Sequence, residues 1–179
     1  SSCSIKWKNR TTTLKNSGSL RKDTFRSLPK EIAKQYMLKS GSILLARSGA
    51  TVGKTFLYDD SWGASCFAGY LIKATLNVGV VLPKFVYMYC QTSNYWQWLS
   101  SSQIQSTIEN VSAEKYSGLN IPYPPIEEQN LIVDFVDNQT KKIDTLTDKA
   151  QQAIDLLKER KTALISAAVT GKIDVRGVA

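Results

Sequence analysis

The stretch from Ile126 to Thr170 contains neither glycine nor proline, and this constrains the fold more than any other feature of the chain. Apolar or small residues recur through it at alternating spacings of four and three, the heptad pattern of a helix that packs along another helix. The residues in this register are Ile132, Val136, Ile143, Leu146, Ala150, Ala153, Leu157, Leu164 and Ala167. The pattern predicts a long dimerisation helix over 126–170 and a C-terminal tail over 171–179.

Such a helix needs a partner for its apolar stripe. Residues 127–168 alone would form a rod about 63 Å long, at about 1.5 Å per residue, which a small domain cannot cover. The helix could fold back as a hairpin, but its middle contains no helix-breaking residue. We therefore expect a coiled coil with another copy or another repeat. Its alanines would allow close approach, and Gln139 and Arg160, the polar exceptions in the register, could fix its alignment.

The segment before the long helix contains Pro122, Pro124 and Pro125. Each proline lacks a backbone donor and restricts the residue before it, so neither a helix nor a central strand can pass through them. We therefore expect one domain over 1–125. Apolar, β-branched and aromatic runs bounded by turn residues predict short strands at 5–14, 43–46, 55–58, 68–72 and 74–81.

Helices are predicted at two places in this domain. A short helical pattern covers 30–38, and Pro83 is a favourable first-turn residue for a second helical region. The residues that follow Pro83 at helical spacing, which we interpret as core, are Phe85, Met88, Tyr89, Trp96 and Leu99. A polar loop is predicted over 100–105. The pattern indicates an α+β fold, in which a mixed α/β domain with a twisted sheet precedes the long C-terminal coiled-coil helix.

Positive charge is concentrated at the N-terminal end of the chain. Residues 1–58 contain twelve Lys or Arg residues against only Asp23 and Glu31, although the formal net charge of the whole chain is +8. Cations displace the counterions condensed on a DNA duplex, and Arg, Asn and hydroxyl side chains can read base edges. A lysine-rich solvated surface would give the same count, so charge alone leaves both interpretations open.

The candidate DNA-binding residues come from this basic set and from the polar loop. Lysines are expected to hold phosphates, and arginines to read guanine edges. The candidates from the basic set are Lys6, Lys8, Arg10, Lys15, Arg21, Lys22, Arg26, Arg47 and Lys54. Those from the loop are Ser101, Gln103 and Gln105.

Several classes of protein are disfavoured by what the sequence lacks. Histidine does not occur, which removes the commonest general base and metal ligand. Cys3, Cys66 and Cys90 show no metal-binding spacing, and no apolar stretch is long enough to span a membrane. We expect no catalytic residue, metal or cofactor, no membrane insertion, and a reducing cytoplasm.

Two short motifs resemble catalytic signatures without matching them. Residues 49–55 approach a phosphate-binding loop, but Ser48 stands where its first glycine belongs. We expect a glycine-assisted turn between strands instead, with Lys54 available to a backbone phosphate. Residues 121–125 approach a methyltransferase motif, but the order is wrong and Asn120 is displaced. Nucleotide hydrolysis and methyl transfer are therefore not predicted.

Four segments resemble type I restriction-modification specificity subunits, and together they cover nearly the whole chain. They are 38–44 with ARSGATVGK at 46–54, the segment 108–112, IPYPPIEEQ at 121–129, and 155–177. Each segment is short, but this order, with a long helix between the last two, is specific to the family.

The resemblance implies a target-recognition domain followed by a spacer helix. In this family two recognition domains each read half of a bipartite DNA site, and two antiparallel helices set their separation. Modification subunits pack on the helices and bring in the restriction subunit. This chain is similar to a half-subunit or to the C-terminal half of a full one, and its opening segment departs from the family pattern. A homodimer or a second half would complete the arrangement.

The function implied is non-catalytic, sequence-specific recognition of double-stranded DNA for a methyltransferase and endonuclease complex. Three alternatives stay open on the sequence alone: a DNA-binding adaptor unrelated to restriction, an enzyme with a phosphate-binding loop, or a coiled-coil oligomerisation module whose basic residues are incidental.

Overall fold

The structure is a computed structural model that describes residues 5–8, 25–28, 30–49, 51–67, 69, 71–102, 110–174 and 176. The chain forms two compact units, 1–133 and 134–179. In chain order the helices and strands are β1 (Ile5–Lys8), β2 (Phe25–Leu28), α1 (Lys30–Ala33), β3 (Ile43–Ala46), β4 (Thr55–Leu57), β5 (Ser65–Cys66), β6 (Leu71–Ala74), α2 (Pro83–Tyr89), α3 (Ser93–Ser102), α4 (Ala113–Ser117) and α5 (Ile126–Val169). Short 3₁₀ turns cover Lys34–Tyr36 and Asp60–Trp62.

The described strands of the first unit form two three-stranded sheets. One has the order β2-β1-β5, in which β1 pairs antiparallel with β2 and parallel with β5. The other has the order β4-β3-β6 and is antiparallel throughout. In the segment that precedes β3, the Leu38 N–H donates to the Ser65 carbonyl of β5 at 2.9 Å, and Met37 forms an antiparallel bridge with Cys66.

The central strand β3 contributes residues to two clusters of the core. Ile43 and Leu45 belong to a larger cluster that includes buried residues of α2, α3 and α4. Leu44 belongs to a smaller cluster with Phe56 and Tyr58. Because successive side chains of a strand point to opposite faces, β3 supplies both clusters and all four of its residues are buried. This explains why the sequence of 43–46 is a continuous apolar run. The α+β class predicted from the sequence is confirmed.

One predicted strand is wrong. The prediction over 74–81 fails because β6 ends at Ala74 and a turn follows. Asn77 organises this turn: its carbonyl accepts the Val80 N–H at 2.9 Å, and its Oδ1 accepts the Gly79 N–H at 3.2 Å. Asn and Gly favour such a turn, and this local preference overrides the β-propensity of the valines. The predicted strand over 68–72 is shifted, with 71–74 forming β6.

The second unit contains α5 from residue 134 onward and its terminal turn. Gly171 has φ 71°, and its N–H donates to the Ala168 carbonyl at 3.2 Å. The Lys172 N–H donates to the Ala167 carbonyl at 2.8 Å. These two bonds form a Schellman motif, for which glycine is favoured because it adopts positive φ without strain. The long helix is therefore confirmed. The division into a recognition domain, a spacer helix and a tail stays a prediction.

Candidate nucleic-acid interface

The predicted DNA-binding residues fall into three groups in the structure. Lys6, Lys8 and Arg26 lie in strands whose backbone is described, and Arg47, Lys54 and Ser101 lie in fully described segments. The predicted residues outside the described part of the chain are Arg10, Lys15, Arg21, Lys22, Gln103 and Gln105.

Three of the basic residues lie on one pair of neighbouring strands. Lys6 and Lys8 are two residues apart in β1, where their register partners in β2 are Ser27 and Phe25. Arg26 of β2 is the register partner of Trp7, between the two lysines. Directly opposed residues of an antiparallel pair are about 4.5–5.5 Å apart between Cα atoms. The ladder therefore places the backbones of these three residues side by side, with Lys6 and Lys8 at positions of one face of the strand pair and Arg26, opposite Trp7, at a position of the other face.

Arg47 and Lys54 are the first and last residues of the loop between β3 and β4. This loop and Ala46, the last residue of β3, are here called the basic hairpin (residues 46–54). The Ala46 N–H donates to the Lys54 carbonyl at 2.9 Å, and the Gly53 N–H donates to the Ala46 carbonyl at 3.0 Å. These bonds close the loop, so its two basic residues emerge from adjacent backbone positions. Both side chains are half-buried.

The tip of the basic hairpin is folded tightly on itself. Gly49 and Gly53 have φ of 79° and 80°, a region that other residues rarely occupy. The Val52 N–H donates to the Gly49 carbonyl at 2.9 Å, and the Lys54 N–H donates to the Thr51 carbonyl at 3.0 Å. Thr51 and Val52 are buried. The loop therefore turns inward at Thr51 and Val52.

The basic hairpin is not a phosphate-binding loop of the NTPase type. In that motif the lysine and the following hydroxyl residue open a helix, whose N-terminal amides hold the phosphates. Here Thr55 opens β4, which returns antiparallel to β3. The turn between strands predicted from the sequence is the arrangement observed.

A segment distant in sequence lies beside the hairpin. The Val111 N–H donates to the Arg47 carbonyl at 2.8 Å, and Ser48 forms an antiparallel bridge with Asn110. This pairing leads directly into α4, whose N-cap Ser112 accepts the Lys115 N–H at 3.3 Å. Asn110, Ser112 and Lys115 are therefore further candidate DNA-binding residues next to the hairpin. Sequence reasoning missed them because no local signal links them to a loop some sixty residues earlier.

One acidic group lies within electrostatic reach of Arg47. The pKa of the exposed Glu114 carboxyl is below its ordinary value, chiefly because the Ser112 hydroxyl donates to it and, to a smaller extent, because Arg47 is positively charged. The carboxylate is therefore ionised at neutral pH and offsets part of the positive potential at this end of the hairpin.

Ser101 lies in a helix, so the loop predicted over 100–105 is wrong at its start. α3 extends through Ser102. The Ser101 hydroxyl donates to the Trp98 carbonyl at 2.9 Å, and the Ser100 hydroxyl donates to the Trp96 carbonyl at 2.9 Å. Serines can bond backward to helix carbonyls in this way, which makes a polar run compatible with a helix.

The predicted helix-interface residues lie along α5 and most are exposed in the single chain. Ile143, Leu146 and Leu157 are more than 60% exposed. Large apolar residues exposed in a row on a long helix mark a surface that another helix can cover. Within the described part of the chain, no helix has a stretch both long and apolar enough to cross a membrane.

The fold and the sequence together define a specificity domain. A profile of the type I restriction modification DNA specificity domain matches residues 5–156, so the chain belongs to that family. The family expected from the sequence resemblance is therefore confirmed.

Individual relatives support this assignment. The chain is 27% identical over 154 residues to the type I restriction enzyme EcoKI specificity subunit from Escherichia coli K12. It is 25% identical over 154 residues to the StySPI specificity subunit from Salmonella potsdam. Each alignment covers 82% of this chain and 32% of the relative, so the chain spans about a third of their length.

Solved structures share the fold. The HsdS subunit from Thermoanaerobacter tengcongensis superposes with a TM-score of 0.65 at 18% identity, covering 87% of this chain and 41% of that one. A chain from a structure of the assembly and conformational transition of the type I R-M system also gives a TM-score of 0.65, at 16% identity, covering 92% and 43%. The α+β domain with a long C-terminal helix is thus an established architecture.

Proposed function

We propose that this chain recognises one half of a bipartite double-stranded DNA site as the non-catalytic specificity component of a cytoplasmic type I restriction-modification complex. In this role it directs the methyltransferase subunits, and through them the restriction subunit, to the site. Its membership in a family of DNA specificity domains supports the general role.

The DNA-binding proposal rests on one observation: basic residues are neighbours at two places in the fold, the β1–β2 pair and the basic hairpin. Lys6, Lys8 and Arg26 occupy neighbouring register positions of β1 and β2, and Arg47 and Lys54 close the basic hairpin. Each phosphate neutralised by such a residue releases a condensed counterion, which makes the affinity steeply dependent on salt. Arg26 and Arg47 can in addition donate two bonds to a guanine edge.

The exposed apolar residues at the heptad positions of α5, its seam, support a role in pairing with a second helix. The large apolar residues at the heptad positions are exposed in a single chain, and two helices of this kind bury their seams against each other. A second recognition domain, on another copy or in another polypeptide segment, would then read the other half-site. The modification subunits would bind the paired helices.

The test removes Lys6, Lys8 and Arg26 together by substitution with Ala. The matched control replaces Lys141, Lys142 and Lys149 of α5 with Ala, which lowers the net charge by the same amount. Binding to labelled DNA duplexes is measured over a KCl series. The first variant should bind more weakly and reduce the slope of log K against log [KCl] by about 0.9 for each phosphate that is no longer neutralised. Equal behaviour of the two variants would count against Lys6, Lys8 and Arg26 as DNA-binding residues.

A further inference from the structure

Two buried tyrosine hydroxyls hold the base of the basic hairpin. The Tyr95 hydroxyl, on α3, donates to the Gly53 carbonyl at 2.7 Å. The Tyr116 hydroxyl, on α4, donates to the Ala46 carbonyl at 3.1 Å. The partners are 42 and 70 residues apart in sequence, so these bonds tie two helices to the hairpin across the domain.

The two accepting carbonyls immediately precede the two basic residues of the hairpin. Ala46 is followed by Arg47, and Gly53 is followed by Lys54. A carbonyl oxygen lies in the same rigid plane as the nitrogen of the next residue, so a bond to it fixes the orientation of that peptide. The two hydroxyls therefore set the backbone position from which each basic side chain departs.

Both hydroxyls belong to a packed aromatic cluster. The Trp98 ring stacks on Tyr95 at 6.2 Å between centroids and lies 6.0 Å from the Tyr116 ring. Rings packed in this way have little rotamer freedom, so the position of each hydroxyl is set by the core. Burial also raises the pKa of Tyr95 and of Tyr116 above the ordinary value, which keeps both hydroxyls protonated as donors.

The close approach of backbone to helix at this point depends on glycine. A Cβ built on Gly53 would lie 2.9 Å from the Trp96 ring and would overlap the Leu99 side chain. The hairpin backbone is therefore pressed against α3, at the place where Tyr95 bonds to it. This part of the hairpin belongs to the domain core.

We infer that Tyr95 and Tyr116 are positioning residues for DNA recognition, which fix Arg47 and Lys54 for binding to backbone phosphates without touching the DNA. The inference rests on the proposed function, because it assigns a DNA-binding role to the basic hairpin. A lysine or arginine on a loosened backbone would still attract DNA from a distance, but it would no longer hold a phosphate in a defined position.

The test compares Tyr95→Phe and Tyr116→Phe with the matched control Tyr58→Phe. Tyr58 is also buried, and its hydroxyl donates to a backbone carbonyl, that of Gly63, at 2.9 Å. It belongs to the smaller core cluster, and its hydroxyl bond is to a residue outside the hairpin. Each variant thus loses one buried hydroxyl and keeps the ring. Binding of the full chain to labelled random-sequence DNA duplexes is measured over a KCl series, at a temperature where circular dichroism shows all variants folded.

Tyr95→Phe and Tyr116→Phe should lower the affinity about tenfold and reduce the salt slope by about 0.9, the value for one phosphate that is no longer neutralised. Tyr58→Phe should keep the affinity and the slope of the unaltered chain. If all three variants give the same affinity and slope, the tyrosines are purely structural and the inference is overturned. If the unaltered chain binds no duplex at any salt concentration, the proposed function itself fails, and the inference falls with it.

Discussion

The Gln129 side chain accepts the backbone N–H of Leu82 at 2.8 Å, across 47 residues of sequence. Its amide nitrogen also donates to the carbonyls of Val80 at 3.1 Å and Pro124 at 2.7 Å. Gln129 is 0% exposed, so the start of α5 is held to the first unit by a fully satisfied buried amide. The glutamine of the IPYPPIEEQ segment therefore has a clear structural role.

Replacing Gln129 by Leu should destabilise the first unit by about 0.5–1.5 kcal/mol for each of the part-buried hydrogen bonds that is lost. Leucine fills a similar volume but leaves three backbone groups without the amide. The free energy of unfolding is measured by urea denaturation. Gln151→Leu is the control on the same helix, because Gln151 is exposed and its described side-chain bond is to the exposed Asp155. Equal costs for the two substitutions would contradict this role of Gln129.

Gly53→Ala should destabilise the domain because the new methyl group overlaps Leu99 and because φ is 80°. The strain at positive φ costs about 1–2 kcal/mol, and overpacking costs about 1–3 kcal/mol more. A double-mutant cycle with Leu99→Ala separates the two effects. Removing the Leu99 side chain relieves part of the overlap, so the double variant should be more stable than the sum of the single changes implies. Strict additivity would show that the hairpin does not press on α3.

Cys90 should make stability fall at alkaline pH. Burial raises the pKa of its thiol from 9.0 to about 12, so the folded state holds this proton more tightly than the unfolded chain does. The stabilisation is complete below pH 9 and is lost as the pH rises toward 12, at about 1.4 kcal/mol per pH unit. Urea denaturation over this range measures the loss. Cys90→Ala is the comparison, and a slope unchanged by that substitution would argue against the titration of this thiol.

The heptad seam can be tested with two adjacent leucines of nearly equal exposure. Leu157 lies in the register and is 63% exposed, whereas Leu156 lies outside it and is 64% exposed. Leu157→Lys should abolish self-association of the chain, since it places a charge in the helix interface. Leu156→Lys should leave it intact. Sedimentation equilibrium distinguishes the two, and loss of association in both variants would refute the assigned register.

The long helix and the central strand were predictable because their signals are local. The heptad spacing, the prolines at 122, 124 and 125, and Gly171 fix the course and the end of α5. The apolar run at 43–46 identifies β3 because both of its faces are buried. In each case the side chains that determine the element lie within it or directly beside it.

Other features were not predictable because they depend on partners distant in sequence. β2 has no strong strand pattern of its own and is defined by its pairing with β1. The bonds from Tyr95 and Tyr116 to the hairpin also join segments that no local pattern relates. The aromatic spacing correctly predicted a helical region, but it could not show that tyrosine hydroxyls from this part of the chain reach the candidate site.

The most direct test of sequence-specific recognition is selection from a pool of random DNA duplexes. The full chain is purified together with its modification subunit, and bound duplexes are recovered through several rounds and sequenced. We expect enrichment of one defined half-site motif, with a fixed spacing where two halves occur together. Recovered duplexes that show no sequence preference would contradict the proposed recognition role.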